Sequence, residues 1–490
     1  MSCANQNASK KHFKRFPNIN FKILGKTNLS VSDIGFGTYR IDQDNEEHQL
    51  ALETALSHGI NIIDTSSNYT NGDAEKLIGH VLNDFIYKQQ CSREEIVLVS
   101  KAGYIQANLW NYLNDNPNEK FSETVDIDYG LSHCIHPDFL KHQISQSLDR
   151  LNVATIDVFL LHNPEYFLIH AQSQKIPIKE AQEIFIQRIL KAFDYLEEEI
   201  KDGRICYYGV SSNTFAYPDQ HPHKTNLKHL ISSKYPNFSV IQCPLNIFET
   251  ETLINPEQNQ ESCIHIAQKN NLGILTNRSL NAYHKQQLYC LQEMKQVKTS
   301  PKNVSENIKN IIQLEQSLAN QLKRNDQKEN QSKEPLSLNI GNNIKHYYKN
   351  LKGLEESKQL FSHIILPQLE HQIQILLKQF DINQNHQNLI ESYISHINTC
   401  AKAMIDEKRE SRYLEITDIK KTLQNIIPNS NHLNISQIAM GCVRSCTEVS
   451  STLVGLRKQS YVLDALSSNQ SIPIKNVNRI WKKLCQTFQT

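Results

Sequence analysis

The chain has 490 residues, of which 39% are hydrophobic and 21% charged, a composition typical of folded globular proteins and incompatible with wholesale disorder. Its 52 basic and 51 acidic residues nearly cancel, so the net charge of +1 gives no general attraction to nucleic acid or anionic membranes. No stretch reaches the roughly 18 apolar residues of a membrane-spanning helix. The 11 cysteines include no CxxC pair, which argues against a disulfide framework and favours a reducing, cytoplasmic compartment.

The amino-terminal 32 residues are basic and contain no acid, since the first acidic residue is Asp33. Basic, acid-free leaders are typical of organelle transit peptides, which leaves mitochondrial targeting as an alternative. The apolar stripe of such a leader is weak here. We therefore expect residues 1–20 to be a disordered basic tail.

Short β-branched or apolar runs alternate with amphipathic windows from about residue 31 onward. The runs predict strands at 31–39, 61–65, 96–101, 156–162, 205–211, 238–243, 272–276 and 451–455. The windows predict helices at 46–59, 73–88, 137–151, 179–201, 225–234, 258–270, 435–446 and 459–467. Strands that alternate with helices form a parallel sheet, and eight such units close into a (β/α)8 TIM barrel.

The barrel pattern is interrupted once, between its seventh strand and seventh helix. We predict that 21–280 holds strands 1–7, that 281–430 is a helical insert, and that 431–470 supplies helix 7, strand 8 and helix 8. Residues 471–490 are expected to form a carboxy-terminal tail. An α/β barrel with one large helical insertion is therefore the predicted architecture.

The insert carries helical stripes of apolar residues and a charged linker at 326–334. One stripe contains Ile308, Ile311, Ile312, Leu318 and Leu322; a second runs through 354–380 with a kink expected at Pro367; a third spans 387–407. Such stripes must bury against each other or against the barrel. We expect a helical subdomain, with a partner-binding module as the alternative. Because βα loops leave a barrel at its active-site face, we also expect the first insert helices to cover part of the opening.

Four chemically distinct side chains fall at or just after the predicted ends of three consecutive strands. Asp64 and Tyr69 follow the second strand, Lys101 ends the third, and His162 ends the fourth. In a parallel barrel these strand ends meet at one mouth. We expect a carboxylate, a phenol, an ammonium and an imidazole to converge there.

The segments around these residues resemble those of the aldo-keto reductases. Residues 64–75 (DTSSNYTNGDAE) resemble the family's strand-two motif, an Asp, a Tyr five residues on, and a Gly and a Glu before the helix. The other similar motifs follow in family order: Val99-Ser100-Lys101, Leu160-Leu161-His162, Gly209 to Asn213, and Gln242. The resemblance covers 20–280 and 433–467, nearly all of the predicted barrel.

The resemblance implies a catalytic tetrad of Asp64, Tyr69, Lys101 and His162. Reduction of a carbonyl by hydride leaves an alkoxide that a general acid must protonate. A free phenol, with a pKa of about 10, is a sluggish acid near neutral pH, and an adjacent ammonium lowers that pKa. Lys101 would supply this charge and Asp64 would hold it, while His162 would polarise the carbonyl oxygen. This chemistry needs no metal.

The resemblance also implies NADPH at the barrel mouth, since no GxGxxG follows a strand to support a Rossmann site. The residues at its cofactor-binding positions are Gly37, Thr38, Tyr39, Asp64, Ser211, Ser212, Gln242, Asn277, Arg278, Leu280, Gly455, Arg457 and Tyr461. The turn before the last helix suits a phosphate because backbone N–H groups point from it. Arg457 would pair with a 2′-phosphate and favour NADP over NAD, unless it only caps the turn.

Three features depart from the family pattern. Thr70 stands where many members have Gly, and Asn277 stands where an aromatic often stacks on nicotinamide. Arg278, beside it, would instead contact the pyrophosphate. The insert at 281–430 is the third departure, and together these leave the substrate and the cofactor pose open.

Two other patterns carry less weight. His133 and His136 resemble a fragment of a metal site without a second ligand pair, so we expect no zinc. Cys442 and Cys446 share a helix face and are expected to be buried packing residues.

The resemblance therefore implies an NADPH-dependent reductase of a small carbonyl compound, either an aldehyde, a ketone or a sugar. The alternative is a catalytically weak, enzyme-like barrel that senses redox state or acts as a scaffold, with 281–430 as its protein-binding part.

Overall fold

The structure, a computed structural model, describes residues 3–254, 261–284, 287–297, 304–325, 338–351, 353–468 and 477–488. The chain divides into two compact units: unit 1 comprises Met1–Gln292 and Leu423–Thr490, and unit 2 comprises Glu293–Thr422. None of the helices in these ranges is both long enough and apolar enough to span a membrane.

The described strands, in chain order, are β1 (Phe21–Ile23), β2 (Ser30–Ser32), β3 (Ile34–Gly37), β4 (Ile62–Asp64), β5 (Val97–Ala102), β6 (Tyr104–Gln106), β7 (Val125–Asp128), β8 (Leu131–His133), β9 (Ile156–His162), β10 (Ile205–Ser211), β11 (Phe238–Pro244), β12 (Gly273–Asn277), β13 (Asn281–His284), β14 (Gln287–Cys290) and β15 (Ser451–Gly455). The described helices are α1 (Gln6–Arg15), α2 (Glu46–Ser57), α3 (Asp73–Tyr87), α4 (Ala107–Asp115), α5 (Pro137–Leu151), α6 (Tyr166–Ser173), α7 (Ile178–Lys201), α8 (Cys263–Lys269), α9 (Val304–Asn325), α10 (Ile340–Tyr348), α11 (Leu354–Gln359), α12 (Leu366–Gln379), α13 (Gln384–Ile426), α14 (Ile435–Arg444), α15 (Gln459–Ser467) and α16 (Val477–Phe488).

Unit 1 contains the predicted barrel. Strands β3, β4, β5, β9, β10, β11, β12 and β15 are parallel and close on themselves, with β15 pairing back to β3. The (β/α)8 fold with a helical insertion after the seventh barrel strand is thus confirmed. The strands are buried on both faces, which explains why they appear in the sequence as continuous apolar runs.

The barrel interior is filled mainly by branched aliphatic side chains. Its buried cluster includes Ile62, Val97, Val99, Val158, Leu160, Val240, Leu275 and Leu453. At Gly209 the neighbouring strand comes so close that a Cβ atom would lie 1.8 Å from the carbonyl oxygen of Val240. Only glycine fits at this contact between β10 and β11.

Two barrel predictions need correction. The predicted strand at 31–39 is divided: Ser30–Ser32 pair antiparallel with Phe21–Ile23, and only Ile34–Gly37 enter the barrel. The predicted helix at 225–234 is reduced to a 3-10 turn at Leu227–Leu230, because its buried apolar residues span a single turn. Helix α8 begins at Cys263, and the start of the helix predicted at 258–270 lies outside the described residues.

Both chain ends contain more structure than expected. The prediction of a disordered tail over 1–20 is wrong at α1, whose Phe13 is buried and stacks on Phe21 at 4.6 Å. Within the predicted tail at 471–490, α16 buries Trp481 and Leu484. In both segments a few apolar residues at helical spacing supply the buried face, a signal too short to stand out in the sequence.

The insert does not begin as a helix, because β13 and β14 form an antiparallel hairpin at 281–290. Unit 2 follows as a helical unit with its own core, which includes the predicted stripe residues Ile308 and Ile311 of α9. A π-helical turn at Leu360–Ile365 separates α11 from α12, directly before the predicted kink at Pro367. The charged linker at 326–334 lies outside the described residues.

Candidate active site

The carboxyl ends of neighbouring barrel strands lie in register, which brings the predicted site residues to one end of the barrel. Asp64 is the last residue of β4 and His162 the last of β9, while Lys101 lies one residue before the end of β5. Strand pairing aligns Ser211 with both His162 and Gln242. Side chains from widely separated parts of the sequence therefore share one mouth.

A buried ion pair lies at the centre of this mouth. Lys101 Nζ donates to Asp64 Oδ2 at 2.8 Å and to the carbonyl oxygen of Thr65 at 2.7 Å. Lys101 is fully buried and Asp64 nearly so. Burial raises the pKa of Asp64 and lowers the pKa of Lys101, while the ion pair opposes both shifts. A buried ion pair depends on such direct contacts, so loss of either partner would leave an uncompensated charge.

Tyr69 lies against this pair in a tight turn. The Lys101 ammonium is 5.0 Å from the centroid of the Tyr69 ring, which also contacts Tyr39 edge-on at 5.4 Å. Thr70 and Asn71 follow in the left-handed region, with φ of 48° and 55°. The positive φ at Thr70 explains why Gly suits this position, because Gly adopts it freely, whereas the β-branched Thr70 adopts it with strain.

The phenol differs from the sequence expectation in its acidity. We expected the adjacent ammonium to lower the pKa of Tyr69, whereas the pKa is raised well above 10, first by burial and then by the Asp64 carboxylate. Lys101 cannot reverse this shift because Asp64 compensates its charge at 2.8 Å. The phenol is therefore protonated at neutral pH.

His162 presents a neutral ring beside Tyr69, with their centroids 6.0 Å apart. Burial, Lys101 and His133 hold the pKa of His162 well below 6.5. Its Nδ1 lies 3.0 Å from Ser66 Oγ, and no described residue forms a hydrogen bond with Nε2. The backbone is held as well, since His133 Nε2 donates to the His162 carbonyl oxygen at 2.8 Å.

Three predicted cofactor residues, Gln242, Ser211 and Asn277, are connected by side-chain hydrogen bonds, and Gln242 links them to the ion pair. Gln242 Nε2 donates to Asp64 Oδ1 at 2.8 Å, and its Oε1 accepts from Ser211 Oγ at 3.2 Å and from Asn277 Nδ2 at 3.3 Å. The buried Asn277 Oδ1 has no hydrogen-bond partner among the described residues. The Ser212 hydroxyl does not join this side-chain network, because it bonds to Thr225, although the Ser212 backbone N–H donates to the Gln242 carbonyl oxygen at 3.0 Å.

The strand-one turn lies directly beside Asp64. The backbone N–H and the hydroxyl of Thr38 both donate to the Asp64 carbonyl oxygen at 3.0 Å. A Cβ atom on Gly37 would come within 3.0 Å of the Val454 carbonyl oxygen, and strand pairing places Gly37 opposite Gly455. Tyr39 extends outward and is 57% exposed.

The remaining predicted cofactor residues lie apart from this network. Gly455, the last residue of β15, and Arg457, in the turn before α15, are exposed, and Arg457 forms no hydrogen bond or ion pair with the described residues. Arg278, with φ of 59°, is bound instead by Glu249 at 2.9 Å. Leu280 is half-buried and Tyr461 exposed, and no hydrogen bond among the described residues joins either to the ion pair.

Several site residues were missed by the sequence analysis. Tyr104 contacts the His162 ring edge-on at 4.8 Å and accepts from Asn163 Nδ2 at 2.6 Å. Glu165 is buried, accepts from the Asn213 backbone at 2.8 Å, and has its pKa raised to about 7 by burial. Both residues follow a predicted strand end by three positions, and this closeness to a strand end could have identified them as site residues.

The structure also places the histidines and cysteines of the two other sequence patterns. The His136 side chain accepts from the backbone N–H of Asp138 and so caps α5, while His133 supports the His162 backbone. Cys442 and Cys446 are buried, as predicted.

Comparison with known proteins identifies the family. The aldo/keto reductase family model matches residues 33–339, more than half of the chain. The NADH-specific methylglyoxal reductase of Escherichia coli is 27% identical over 150 residues, 28% of this chain and 40% of that protein. The "Probable voltage-gated potassium channel subunit beta" of Arabidopsis thaliana is 29% identical over 197 residues, 39% of this chain and 46% of that protein.

A solved aldo/keto reductase of Klebsiella pneumoniae, in complex with NADP and acetate, is 13% identical with a TM-score of 0.44, covering 95% of this chain and 94% of that one. The chain spans about half the length, or less, of the curated relatives it matches. The family match and the strand-end motifs agree, and this chain belongs to the aldo/keto reductase family.

Proposed function

We propose that this protein reduces a carbonyl compound, an aldehyde, ketone or sugar, with NADPH as the hydride donor and Tyr69 as the general acid. The observation that carries the proposal is the cluster of Asp64, Lys101, Tyr69 and His162 at the carboxyl ends of β4, β5 and β9. Nicotinamide, when bound, supplies the hydride. The protein must then orient the carbonyl and deliver one proton to its oxygen.

His162 is suited to orienting the carbonyl. We assign the single proton of the neutral ring to Nε2, which has no protein partner among the described residues. In this arrangement the Ser66 hydroxyl, which also lies 2.6 Å from Asn68 Oδ1 and 3.1 Å from the Lys101 carbonyl oxygen, directs its one hydrogen to Nδ1. The N–H group at Nε2 can donate to the substrate oxygen and polarise the carbonyl. Tyr69, in ring contact with His162, then donates its phenolic proton to the same oxygen.

Lys101 and Asp64 assist the proton transfer without touching the substrate oxygen. The ammonium lies over the Tyr69 ring, where it offsets the Asp64 carboxylate, whose charge would otherwise further disfavour the loss of the phenolic proton. Asp64 holds Lys101 in place and also fixes Gln242. The pair couples the proton donor to the residues proposed to hold the cofactor.

The residues present fit a nicotinamide cofactor. The unpartnered Asn277 Oδ1 offers an acceptor to a carboxamide N–H, beside Gln242 and Ser211. Gly455 permits close backbone approach before α15, and Arg457 offers there a cation that forms no ion pair within the described part of the chain. A cation at this turn favours a 2′-phosphate and hence NADP, although the methylglyoxal reductase relative is named NADH-specific.

The direct test is turnover by the full chain with each cofactor. NADPH and NADH oxidation should be followed over a panel of aldehydes, ketones and sugars, in wild type and in Tyr69→Phe. We expect Tyr69→Phe to lower activity by at least about 10²-fold while NADPH still binds, because the ring stays and only the proton donor is lost.

The matched control is Tyr87→Phe, which removes an 87%-exposed phenol on α3 and should leave activity unchanged. Near-normal turnover by Tyr69→Phe would exclude Tyr69 as the acid.

A scaffold or redox-sensing subunit remains the second candidate. Its support is the name of the potassium channel relative and the compact helical unit 2, whose residues 340–422 extend past the family match at 33–339. NADPH binding without consumption over the whole carbonyl panel would favour this function.

A further inference from the structure

Two cysteines distant in sequence meet at the end of the barrel opposite the candidate active site. Cys206 is the second residue of β10, and Ser211, five residues on, ends the same strand at the mouth. Five residues of strand span about 16 Å. Cys3 precedes α1, and its sulfur, that of Cys206 and a carboxylate oxygen of Asp157 all lie within 4.8 Å of one another. Both cysteines are partly exposed.

The segment that carries Cys3 is held in place by the barrel. The backbone N–H of Ala4 donates to Asp157 Oδ1 at 2.6 Å, and Ala4 is buried in the barrel core cluster. Asp157 lies on β9, next to β10. This anchorage keeps the two sulfurs close without any covalent link.

A metal ion is a poor occupant of this cluster. Asp157 already accepts three hydrogen bonds, from Ala4 at one oxygen and from Arg93 Nη2 and the Leu98 N–H at the other, at 2.8 and 2.7 Å. The Arg93 guanidinium places a positive charge beside the carboxylate, which disfavours a cation and favours a thiolate.

We propose that Cys3 and Cys206 form a hydroperoxide-sensitive dithiol that becomes a disulfide between the amino-terminal segment and β10. The Cys3 thiolate attacks the O–O bond, which breaks to give a Cys3 sulfenic acid and, after protonation, an alcohol or water. The Cys206 thiol then displaces the sulfenic oxygen as water, and the S–S bond forms. The hydroperoxide gains the two electrons that the sulfurs lose.

The electrostatics support Cys3 as the attacking thiol. The nearby Cys206 side chain lowers the pKa of Cys3 to about 7, with a further contribution from Arg93, against burial and Asp157. The same contact raises the pKa of Cys206. Near pH 7 the pair therefore holds a thiol at Cys206 and, in about half of the molecules, a thiolate at Cys3, as the two steps require.

The experiment uses the reduced, full-length protein exposed to hydrogen peroxide and digested with trypsin without reduction. Cleavage after Lys10, Arg204 and Lys224 isolates Cys3 and Cys206 in separate peptides that only a disulfide can join. We expect the joined peptide to form, and to be lost in Cys206→Ser, where dimedone should instead trap a sulfenic acid on Cys3.

Cys91→Ser is the matched control, because Cys91 is also partly exposed and its pKa is raised to about 11 by burial. The Cys91→Ser variant should form the joined peptide as the wild-type protein does. In wild type, iodoacetamide should modify Cys3 at least about tenfold faster than Cys91 at pH 7, with the Cys3 rate rising through pH 7. NADPH-dependent turnover should be the same in oxidised and reduced protein, because the dithiol lies at the other end of the barrel.

Direct oxidation of Cys3 to the sulfinic acid in wild type, with no joined peptide, would overturn the proposal. The proposal would also be overturned if the wild-type protein bound one zinc ion per chain, which a mercurial released, and the Cys206→Ser variant bound none. The cluster would then be a metal site. Neither result depends on whether Tyr69 is the general acid.

Discussion

Tyr69 lies beside an ammonium, and its acidity is nevertheless set by burial. The resemblance predicts that Asp64 holds Lys101 beside Tyr69, but the sequence does not give the distances that decide how far the carboxylate compensates the lysine's charge. With Lys101 Nζ 2.8 Å from Asp64 Oδ2, the pair presents little net charge to the phenol. Desolvation then dominates and raises the pKa of Tyr69.

This direction gives a prediction for the pH dependence of reduction. The acid must be protonated, and a raised pKa of Tyr69 keeps it protonated beyond pH 10. The lowered pKa of His162 keeps its ring neutral through the neutral range. We expect kcat/KM for carbonyl reduction to stay level between about pH 7 and 9.

Steady-state kinetics over that range, with a non-ionising aldehyde, would check the prediction. A decline centred near pH 8 would contradict it, because the charge of Lys101 would then outweigh burial.

Arg457 makes a second prediction at the residue scale. It is exposed and forms no hydrogen bond or ion pair with the described residues, so its replacement should not disturb the fold. If it binds the 2′-phosphate, Arg457→Ala should weaken NADPH binding roughly tenfold to a hundredfold, the effect of one charged hydrogen bond, and leave NADH binding nearly unchanged.

Fluorescence titration with both cofactors measures this difference. Arg479→Ala, which removes another exposed arginine on α16, is the control and should affect neither cofactor. Equal losses of affinity for NADPH and NADH in Arg457→Ala would mean that the arginine stabilises the turn and does not bind the 2′-phosphate.

At the scale of elements, turns and strand ends determine where the side chains of the site lie. Tyr69 depends on a turn in which Thr70, Asn71 and Gly72 all have positive φ. His162 depends on β8, a strand inside the long loop after β5, whose His133 holds its carbonyl oxygen. Loop residues that take no part in the proposed chemistry thus position two of the four groups.

Helix α9 offers a test of how unit 2 is stabilised. Ile311 is fully buried in the unit 2 core, whereas Lys309, two residues earlier, is exposed. Ile311→Ala should lower the free energy of unfolding by about 2–5 kcal/mol, through lost transfer energy and the cavity left behind.

Chemical denaturation followed by circular dichroism provides the measurement. Lys309→Ala is expected to stay within about 0.5 kcal/mol of wild type. An equally small effect for Ile311→Ala would contradict the packing of this stripe.

At the scale of the whole molecule, unit 2 is inserted after β12, and this topology carries the last prediction. A βα loop leaves a barrel at the active-site face, so the insertion starts near the mouth. We expect replacement of residues 293–422 by a short Gly/Ser linker to change KM or the rate of cofactor release while kcat for the chemical step is kept.

Stopped-flow release of NADP and steady-state kinetics on the shortened and full chains would measure both quantities. Identical constants in a well-folded shortened protein would contradict a covering role and favour a partner-binding one. The far-ultraviolet spectrum and thermal unfolding of the shortened chain serve as its folding control.

Much of the barrel was predictable because its signals are local. Most barrel strands are apolar runs with Gly or a polar residue at the end, and Asp64, Lys101 and His162 end or nearly end their strands as predicted. The hairpin of β1 and β2, the single turn at Leu227–Leu230 and helix α1 were not predicted. Each of these is stabilised by contacts with distant parts of the chain, which short-range periodicity does not contain.

The sequence by itself determined the order of strands and helices, the family, and the residue types at each strand end, because these depend on periodicity and on spacing along the chain. The tertiary structure alone decided which groups touch. It paired Gln242 with Asp64, turned Ser212 toward Thr225, bound Arg278 to Glu249 and brought Cys3 to Cys206. Contacts of this kind, and the pKa shifts that follow from them, depend on distances across the folded barrel between residues that are far apart in the chain.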